Sequence, residues 1–211
     1  MISRVISSSS HGNAIIYHGE ILVDCGVSFK ALKPYYKSLR LVLLTHEHGD
    51  HFKDSTIKKL AGERPTLNFM CGQHIYERVK QLGIKNVHLV EPSKVYQMGE
   101  YMIIPIKLYH NVENYGYRIL KNDYKILHVT DTVSLEGISA KGYDLYAIEY
   151  NFDEETIQSV IDEKTARGEF SYEMDATQNH LSFQKADKFI EENKKETSEV
   201  LKLHISSRYL E

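Results

Sequence analysis

The densest group of chemically reactive side chains lies in the segment 45–51, which reads Thr-His-Glu-His-Gly-Asp-His. Three imidazoles and an aspartate are ligand types that zinc and the neighbouring transition metals prefer. His46 and His48 are two residues apart and can turn toward one ion, while the adjacent Asp50 and His51 can reach a second. The glycine between the two pairs permits the backbone turn that this division requires. The spacing predicts one half of a dinuclear metal site.

Further candidate ligands occur where other strand-like runs end. Two metal ions need more ligands and more compensating negative charge than one loop supplies, so His and Asp are expected at other strand ends. His110, Asp131 and His204 each follow such a run. Any one of them alone would more often be an ordinary surface or core residue. The ordered set of three is what predicts the second half of the site.

Apolar patterning predicts the elements that position these residues. The run 41–44 precedes the histidine-rich loop and shows no alternation, which predicts a strand buried on both faces. Further strands are predicted at 5–6, 14–17, 21–24, 67–71, 87–90, 101–108, 115–120, 125–129, 145–149 and 200–205. Helices are predicted at 57–61, 75–82, 153–167 and 182–192. Strands and helices alternate in two halves, which predicts an α/β fold of two sheets sandwiched by outer helices.

Composition limits the class of protein. A chain of 211 residues with 42% hydrophobic and 26% charged residues can form one globular domain without disulfide bonds, so we expect a single domain over 1–211 and reduced thiols at Cys25 and Cys71. No apolar run is long enough to span a bilayer, and the first residues lack the pattern of a signal peptide. We therefore expect a cytoplasmic protein with no membrane partner. The net charge of −3 excludes a generally basic nucleic-acid coat but not a local positive groove.

The order of the candidate ligands resembles that of the metallo-β-lactamase superfamily over nearly the whole chain: an HxHxDH loop, a later His, a later Asp and a terminal His. The turn 23–26, Val-Asp-Cys-Gly, is similar to the Asp-x-Gly turn of that superfamily, whose aspartate usually supports the ligands. The resemblance implies the metallo-β-lactamase αββα sandwich, with two mixed sheets and outer helices. It also implies that one ion is bound by His46, His48 and His110, that the other is bound by Asp50, His51 and His204, and that Asp131 bridges them. The two divalent ions would be Zn²⁺, with Mn²⁺ or Fe as alternatives.

Smaller features resemble one subgroup of the superfamily. Segments 7–14 and 21–28 resemble the opening of the WalJ-type (YycJ-type) exonucleases, and 179–182, Asn-His-Leu-Ser, is similar to their Gly-His-Leu-Ser element. Segment 203–209 also resembles the terminal motif of ribonuclease Z. The chain departs from the subgroup at His11, where a small residue is usual, and at Asn179, where glycine is usual. Both relatives cut phosphodiesters, so the resemblance implies a nuclease, an exonuclease on DNA, with nucleic acid as substrate.

The nuclease hypothesis predicts a mechanism. Hydroxide held between two metal ions would attack phosphorus while the ions neutralise the phosphate oxygens. Asp50 would orient the attacking water or accept its proton, and His180 would donate to the departing oxygen. His180 has an alternative interpretation as a surface histidine that precedes a helix capped by Ser182.

Other functions remain open from the sequence. One alternative is a hydrolase of a small ester, lactone or cyclic nucleotide, which a closed apolar pocket would favour. Another is a binding protein that keeps the fold without turnover. The cations at 30, 33, 37 and 40 could follow a nucleic-acid backbone or form a solvated helical face. The interval between Asp131 and His180 is too short for the inserted domain of the β-CASP nucleases. Oligomeric state has no signal in the sequence.

Overall fold

The computed structural model describes residues 2–206. Met1 and residues 207–211 lie outside the described residues, so 207–209 of the proposed terminal motif cannot be placed. The chain divides into two compact units, which we call the N-terminal unit (Met1–Pro92) and the C-terminal unit (Ser93–Glu211). The expectation of a single domain over 1–211 stays a prediction.

The N-terminal unit contains one six-stranded sheet in the order β1-β2-β3-β4-β5-β6. Its elements are β1 Ser3–Ser9, β2 Gly12–Tyr17, β3 Ile21–Val23, α1 Phe29–Leu32, β4 Leu41–Leu43, α2 Asp54–Glu63, β5 Asn68–Cys71, α3 Gln73–Gln81 and β6 Val87–Leu89. The pairs β1–β2 and β2–β3 are antiparallel, and the pairs from β3 to β6 are parallel. Because β3, β4 and β5 run in the same direction, the residues that follow them reach the same edge of the sheet.

The C-terminal unit contains a second six-stranded sheet in the order β12-β11-β10-β9-β8-β7. Its elements are β7 Tyr96–Met98, β8 Tyr101–Leu108, β9 Asn114–Lys121, β10 Tyr124–Val129, β11 Leu145–Glu149, α4 Glu154–Ala166, α5 Tyr172–Asn179, α6 Phe183–Asn193 and β12 Glu199–Leu203. β10, β11 and β12 are parallel, and β8 runs in the same direction because two antiparallel pairs separate it from β10. Residues that follow these four strands therefore meet at one edge.

Burial explains why the central strands form where they do. Every residue of β4 and of β11 is buried, as expected for apolar strands covered on both faces. α6 begins after Ser182, whose hydroxyl accepts a hydrogen bond from the backbone N–H of Lys185. α4 begins in the same way after Asp153, which accepts from the backbone N–H of Thr156.

The predicted α/β class with two mixed sheets and helices is confirmed. The strands predicted at 101–108 and 145–149 coincide with β8 and β11, and the other predicted elements are found with shifted ends. The sequence did not predict α1, β7 or α5. No helix among the described residues combines the length and apolarity needed to cross a membrane.

Both cysteines are free, which agrees with the expected reduced thiols, and both are fully buried in the N-terminal unit. Burial raises the pKa of the Cys25 thiol, and the nearby Asp24 carboxylate raises it further. Burial alone raises the pKa of Cys71. Both thiols are therefore protonated and shielded at neutral pH.

Candidate metal centre

The predicted ligands of the N-terminal unit follow β4 and lie close together. His46 and His51 are buried, while His48 and Asp50 are partly exposed. Nε2 of His46 is 3.1 Å from Nδ1 of His48, and Oδ2 of Asp50 is 3.4 Å from Nε2 of His51. The rings of His46 and His51 have centroids 4.2 Å apart. This convergence of nitrogen and carboxylate ligands suits a transition-metal site.

The buried carboxylate of Asp24, just after β3, fixes the protonation of two of these imidazoles. Its Oδ2 is 2.7 Å from Nδ1 of His51, and because a carboxylate only accepts, His51 carries its proton on Nδ1. The Thr45 hydroxyl donates to the same carboxylate, so Thr45 Oγ1 accepts from Nδ1 of His46 at 2.9 Å. Nε2 of His46 and of His51 is then the unprotonated nitrogen; it lies 3.1 Å from Nδ1 of His48 and 2.8 Å from Nδ2 of Asn13, respectively, and is the atom that could bind a metal. Burial raises the pKa of Asp24, and the charge and hydrogen bonds of His51, together with the hydrogen bonds of Thr45, partly offset this rise.

Glycine is required at position 26 by the close approach of the metal loop. A Cβ built on Gly26 would lie 1.6 Å from the carbonyl oxygen of Asp50, which is not a flexible atom. The Gly26 N–H donates to the carbonyl of Asn13, and the Asn13 N–H donates to the carbonyl of Asp50. The Asp-Cys-Gly turn therefore fixes the position of the backbone that carries Asp50.

The predicted ligands of the C-terminal unit follow β8, β10 and β12. Asp131 and His204 are 2% and 5% exposed, and Oδ1 of Asp131 is 3.6 Å from Nε2 of His204. Both residues have left-handed backbones, with φ of 56° and 51°. His110 donates from Nδ1 to the carbonyl oxygen of Asn179 at 2.8 Å, since a carbonyl only accepts, so Nε2 is the unprotonated nitrogen when the ring is neutral.

His180 lies beside these ligands on the connection between α5 and α6. Its ring stacks on His204 with centroids 5.3 Å apart and an interplanar angle of 11°. Its Nδ1 is 2.6 Å from Oε1 of Glu149 and 3.5 Å from Oδ1 of Asp131. Burial lowers the pKa of His180, but the charge of Glu149 and its hydrogen bond raise it more, to about 9. His180 is partly buried and bound to a buried carboxylate, which does not fit a freely solvated surface histidine.

Glu149 is the residue of this group that the sequence reasoning missed. It ends β11 with no solvent exposure and accepts hydrogen bonds from His180 Nδ1 and from the backbone N–H groups of Thr132 and Leu181. A carboxylate at the end of a fully buried strand needs such hydrogen-bond partners. A glutamate directly after a buried apolar run is therefore the sequence feature that could have identified Glu149. Potential ligand atoms of Asp131, Glu149, His180 and His204 all lie within 4.8 Å of one another.

Two kinds of comparison, with a family model and with individual proteins, show what this chain is similar to. A model described as "Beta-lactamase superfamily domain" matches residues 20–200. The chain is 26% identical over 171 residues to the exodeoxyribonuclease YycJ of Bacillus anthracis, covering 73% of this chain and 64% of that protein. It is 29% identical over 119 residues to the ribonuclease Z of Thermosynechococcus vestitus, covering 48% of this chain and 29% of that protein. The chain thus spans less than two thirds of the length of each relative.

A solved structure shows the same fold. The metallo-β-lactamase fold protein YhfI from Bacillus subtilis aligns with a TM-score of 0.74 at 20% identity, over 97% of this chain and 86% of that chain. At this identity the likeness concerns the fold and carries no statement about substrate.

Proposed function

Because the model of the β-lactamase superfamily domain matches residues 20–200, the chain belongs to this superfamily, and we propose that it is a metal-dependent phosphodiester hydrolase. We further propose that it is a nuclease that acts on DNA from an end. The names of the exodeoxyribonuclease and ribonuclease Z relatives support cleavage of nucleic acid, and the exodeoxyribonuclease alignment covers the larger share of this chain.

The observation that carries the metal proposal is the set of hydrogen-bond partners at Nδ1 of the candidate histidine ligands. His46, His51 and His110 each direct Nδ1 to a fixed acceptor, so Nε2 is the unprotonated nitrogen of each neutral ring and the atom that could bind a cation. Neutral imidazoles held by hydrogen bonds at the opposite nitrogen are the usual arrangement of histidine ligands. The donor set within each unit therefore fits transition-metal ions.

The proposed ligands are those that the family resemblance implies. They are His46, His48 and His110 for one ion, Asp50, His51 and His204 for the other, and Asp131 as the bridging carboxylate. When bound, the ions would supply an activated water and neutralise charge on the phosphate. We propose Zn²⁺, since imidazole and carboxylate ligands suit it, and elemental analysis distinguishes it from Mn²⁺ and Fe.

Two residues of the chain have proposed roles in proton transfer. The Asp50 side chain is 23% exposed, so its carboxylate can accept a hydrogen bond from the attacking water and orient it. His180 would donate from Nε2 to the departing oxygen while its Nδ1–H remains on Glu149. This role makes His180 a proton donor and not a ligand.

The test of the proposed activity is a comparison of substrates with metal content controlled. End-labelled DNA, RNA and bis(p-nitrophenyl) phosphate are incubated with the metal-loaded protein and with protein treated with a chelator. We expect stepwise shortening of DNA that chelation abolishes, because the water is activated only with metal present. Turnover confined to small esters, lactones or cyclic nucleotides would replace the nuclease proposal, and a fully loaded protein without turnover would identify a binding protein.

The role of His180 has its own test. His180→Ala should keep the metal content and lose about 10²–10⁴-fold in rate on DNA, where the leaving oxygen needs a proton. The loss should be much smaller on bis(p-nitrophenyl) phosphate, whose leaving group needs little protonation. His88→Ala is the matched control, since His88 lies on β6 and contacts Asn68. Loss of metal from His180→Ala would make His180 a ligand and overturn the assignment.

A further inference from the structure

Three buried asparagines direct their side-chain amide nitrogens to candidate ligand residues. Asn13, Asn114 and Asn151 are 1%, 0% and 6% exposed. Burying a side-chain amide costs free energy unless the amide forms hydrogen bonds. The hydrogen-bond partners of each asparagine therefore identify the part of the structure that it stabilises. In each case a partner is the backbone carbonyl of a ligand residue, and the three asparagines serve three different ligand segments.

Asn114 holds the backbone of Asp131. It begins β9, and its Nδ2 donates to the carbonyl of Thr130 at 2.9 Å and to the carbonyl of Asp131 at 2.7 Å. Asp131 is the residue with φ of 56°, a conformation that L-residues seldom adopt. The Asn114 amide therefore stabilises a strained backbone at the residue proposed to bridge the two ions.

Asn151 holds His204 in a similar way. It lies two residues beyond β11, and its Nδ2 is 3.2 Å from the carbonyl oxygen and 3.1 Å from Nδ1 of His204. The carbonyl of Asn151 accepts from the backbone N–H of Ser206, so both sides of His204 are tied to one residue. His204 has φ of 51°, so this ligand is also held in a left-handed backbone.

Asn13 plays the corresponding part in the N-terminal unit. Its Nδ2 is 3.3 Å from the carbonyl oxygen of Asp50, 3.2 Å from Oδ2 of Asp50 and 2.8 Å from Nε2 of His51. It also donates to the carbonyl of Ser9, which connects the β1–β2 hairpin to the metal loop. The two ligands that the sequence assigns to one ion thus share a single amide neighbour. An ion bound at His51 Nε2 would replace the Asn13 contact with that nitrogen, whereas the contact with the Asp50 carbonyl could persist, so the backbone contact is the one that can hold the ligand segment.

We propose that Asn13, Asn114 and Asn151 are positioning residues that hold the ligand backbones in their binding conformation before metal arrives. The inference rests on the metal centre proposed above and adds the residues that determine its affinity. A neutral amide suits this role because it donates two hydrogen bonds without adding charge beside the ligands. Ligands that are already ordered lose less conformational freedom when an ion binds, so preorganisation lowers the dissociation constant of the metal.

The test measures metal binding and folding stability separately in single variants. Asn114→Ala and Asn151→Ala are titrated with Zn²⁺ against a chromophoric chelator, loaded with Co²⁺ for its visible absorption, and unfolded in urea. Asn193→Ala is the matched control in the same unit, because Asn193 is partly buried and donates to the Phe189 carbonyl away from the ligands. Asn13→Ala has its control in Asn86→Ala, whose amide donates to the Pro65 carbonyl.

We expect each ligand-facing variant to weaken Zn²⁺ binding by about 10–100-fold and to alter the Co²⁺ spectrum, as removal of residues that orient metal ligands generally does. The controls should lose stability alone, with unchanged affinity and spectrum. Asn114→Ala should affect both ions and Asn151→Ala mainly one, because Asp131 is the proposed bridge. Asn114→Ser, with a smaller loss of polar contacts, replaces Asn114→Ala if the latter does not fold.

The outcomes separate this inference from the proposed function. If the unsubstituted protein binds no metal, the metal centre itself is wrong. If the unsubstituted protein binds two ions and the ligand-facing variants match it in affinity and Co²⁺ spectrum, the asparagines have only a structural role and the inference is refuted.

Discussion

The substitution Glu149→Gln gives the most specific test of how the C-terminal unit holds His180. The Glu149 carboxylate has no solvent exposure and accepts from His180 Nδ1 at 2.6 Å, from Thr132 N at 3.0 Å and from Leu181 N at 3.2 Å. Glutamine offers one oxygen in place of two, and its NH₂ group would face an N–H donor. Either a buried backbone N–H loses its acceptor or His180 must give up its Nδ1 proton, and we expect a cost of about 1–3 kcal/mol of unfolding free energy.

The effect of Glu149→Gln on catalysis should follow from its effect on His180. Without the carboxylate, the imidazole loses its hydrogen-bond acceptor and the main charge that raises its pKa, so the proton donor is weakened or displaced. The rate on DNA should therefore decrease, and the decrease should approach the factor of about 10²–10⁴ expected for removing a general acid. Since both changes act through one imidazole, the double variant Glu149→Gln/His180→Ala should be no slower than His180→Ala alone.

The assay compares kcat on end-labelled DNA and on bis(p-nitrophenyl) phosphate, with metal content and urea unfolding measured on the same samples. Glu173→Gln is the control, because Glu173 accepts from Lys164 at 2.7 Å in the same unit and should affect stability alone. A wild-type rate on DNA for Glu149→Gln would refute the orienting role. Loss of metal would instead place Glu149 among the ligands, as its membership of the group within 4.8 Å permits.

Three further predictions concern the metals and the loop that carries them. Elemental analysis of saturated protein should find close to two ions per chain, and a repeated value of one would refute the dinuclear assignment. Asp131→Ala should weaken binding of both ions and His204→Ala mainly of one, which a chelator competition titration resolves; equal and independent effects would argue against a bridging Asp131. Gly26→Ala should cost about 3 kcal/mol or more of unfolding free energy in urea, at the upper end of overpacking, because its Cβ would lie 1.6 Å from the Asp50 carbonyl. Gly62→Ala is the control for this change, since its Cβ would meet no atom within 4 Å, and equal stabilities would contradict the close approach.

The elements around the ligands could be predicted because their signals are local. The runs 41–44 and 145–148 are apolar and bounded by polar residues, and each corresponds to a fully buried strand. Ser182 before an apolar stripe predicted the start of α6, and the cap is present. The polar residues that follow these strands lie at the edges of the sheets. The order of the candidate ligands could therefore be predicted from the sequence.

The missed elements have weak local signals for physical reasons. α5 has no buried residue, so no apolar periodicity marks it. α1 has 4 residues and β7 has 3, which are too few for a period to show. Each of these elements depends on neighbours that the sequence does not reveal.

The supporting residues of the site were missed because their partners are distant in sequence. Glu149 and His180 are 31 positions apart, and Asn151 and His204 are 53 positions apart. A single asparagine after a strand is also typical of a turn, so nothing local distinguishes one that supports a ligand. The pairing of β11 with β12 brings Asn151 to His204, and the packing of the α5–α6 connection against the end of β11 brings His180 to Glu149.

The two buried cysteines allow local opening of the N-terminal unit to be measured by the rate at which their thiols are modified. Both thiols of the chain lie in the N-terminal unit, and the backbone N–H of Cys25 donates to the carbonyl of His51 at 2.9 Å. Because the Cys25 side chain lies in the hydrophobic core of this unit, a thiol-modifying reagent can reach it only in molecules where that core has opened. The labelling rate of the unsubstituted protein therefore reports the opening free energy of this half of the chain. No engineered label or change of sequence is needed, and slower labelling on addition of Zn²⁺ would show that occupancy of the loop suppresses that opening.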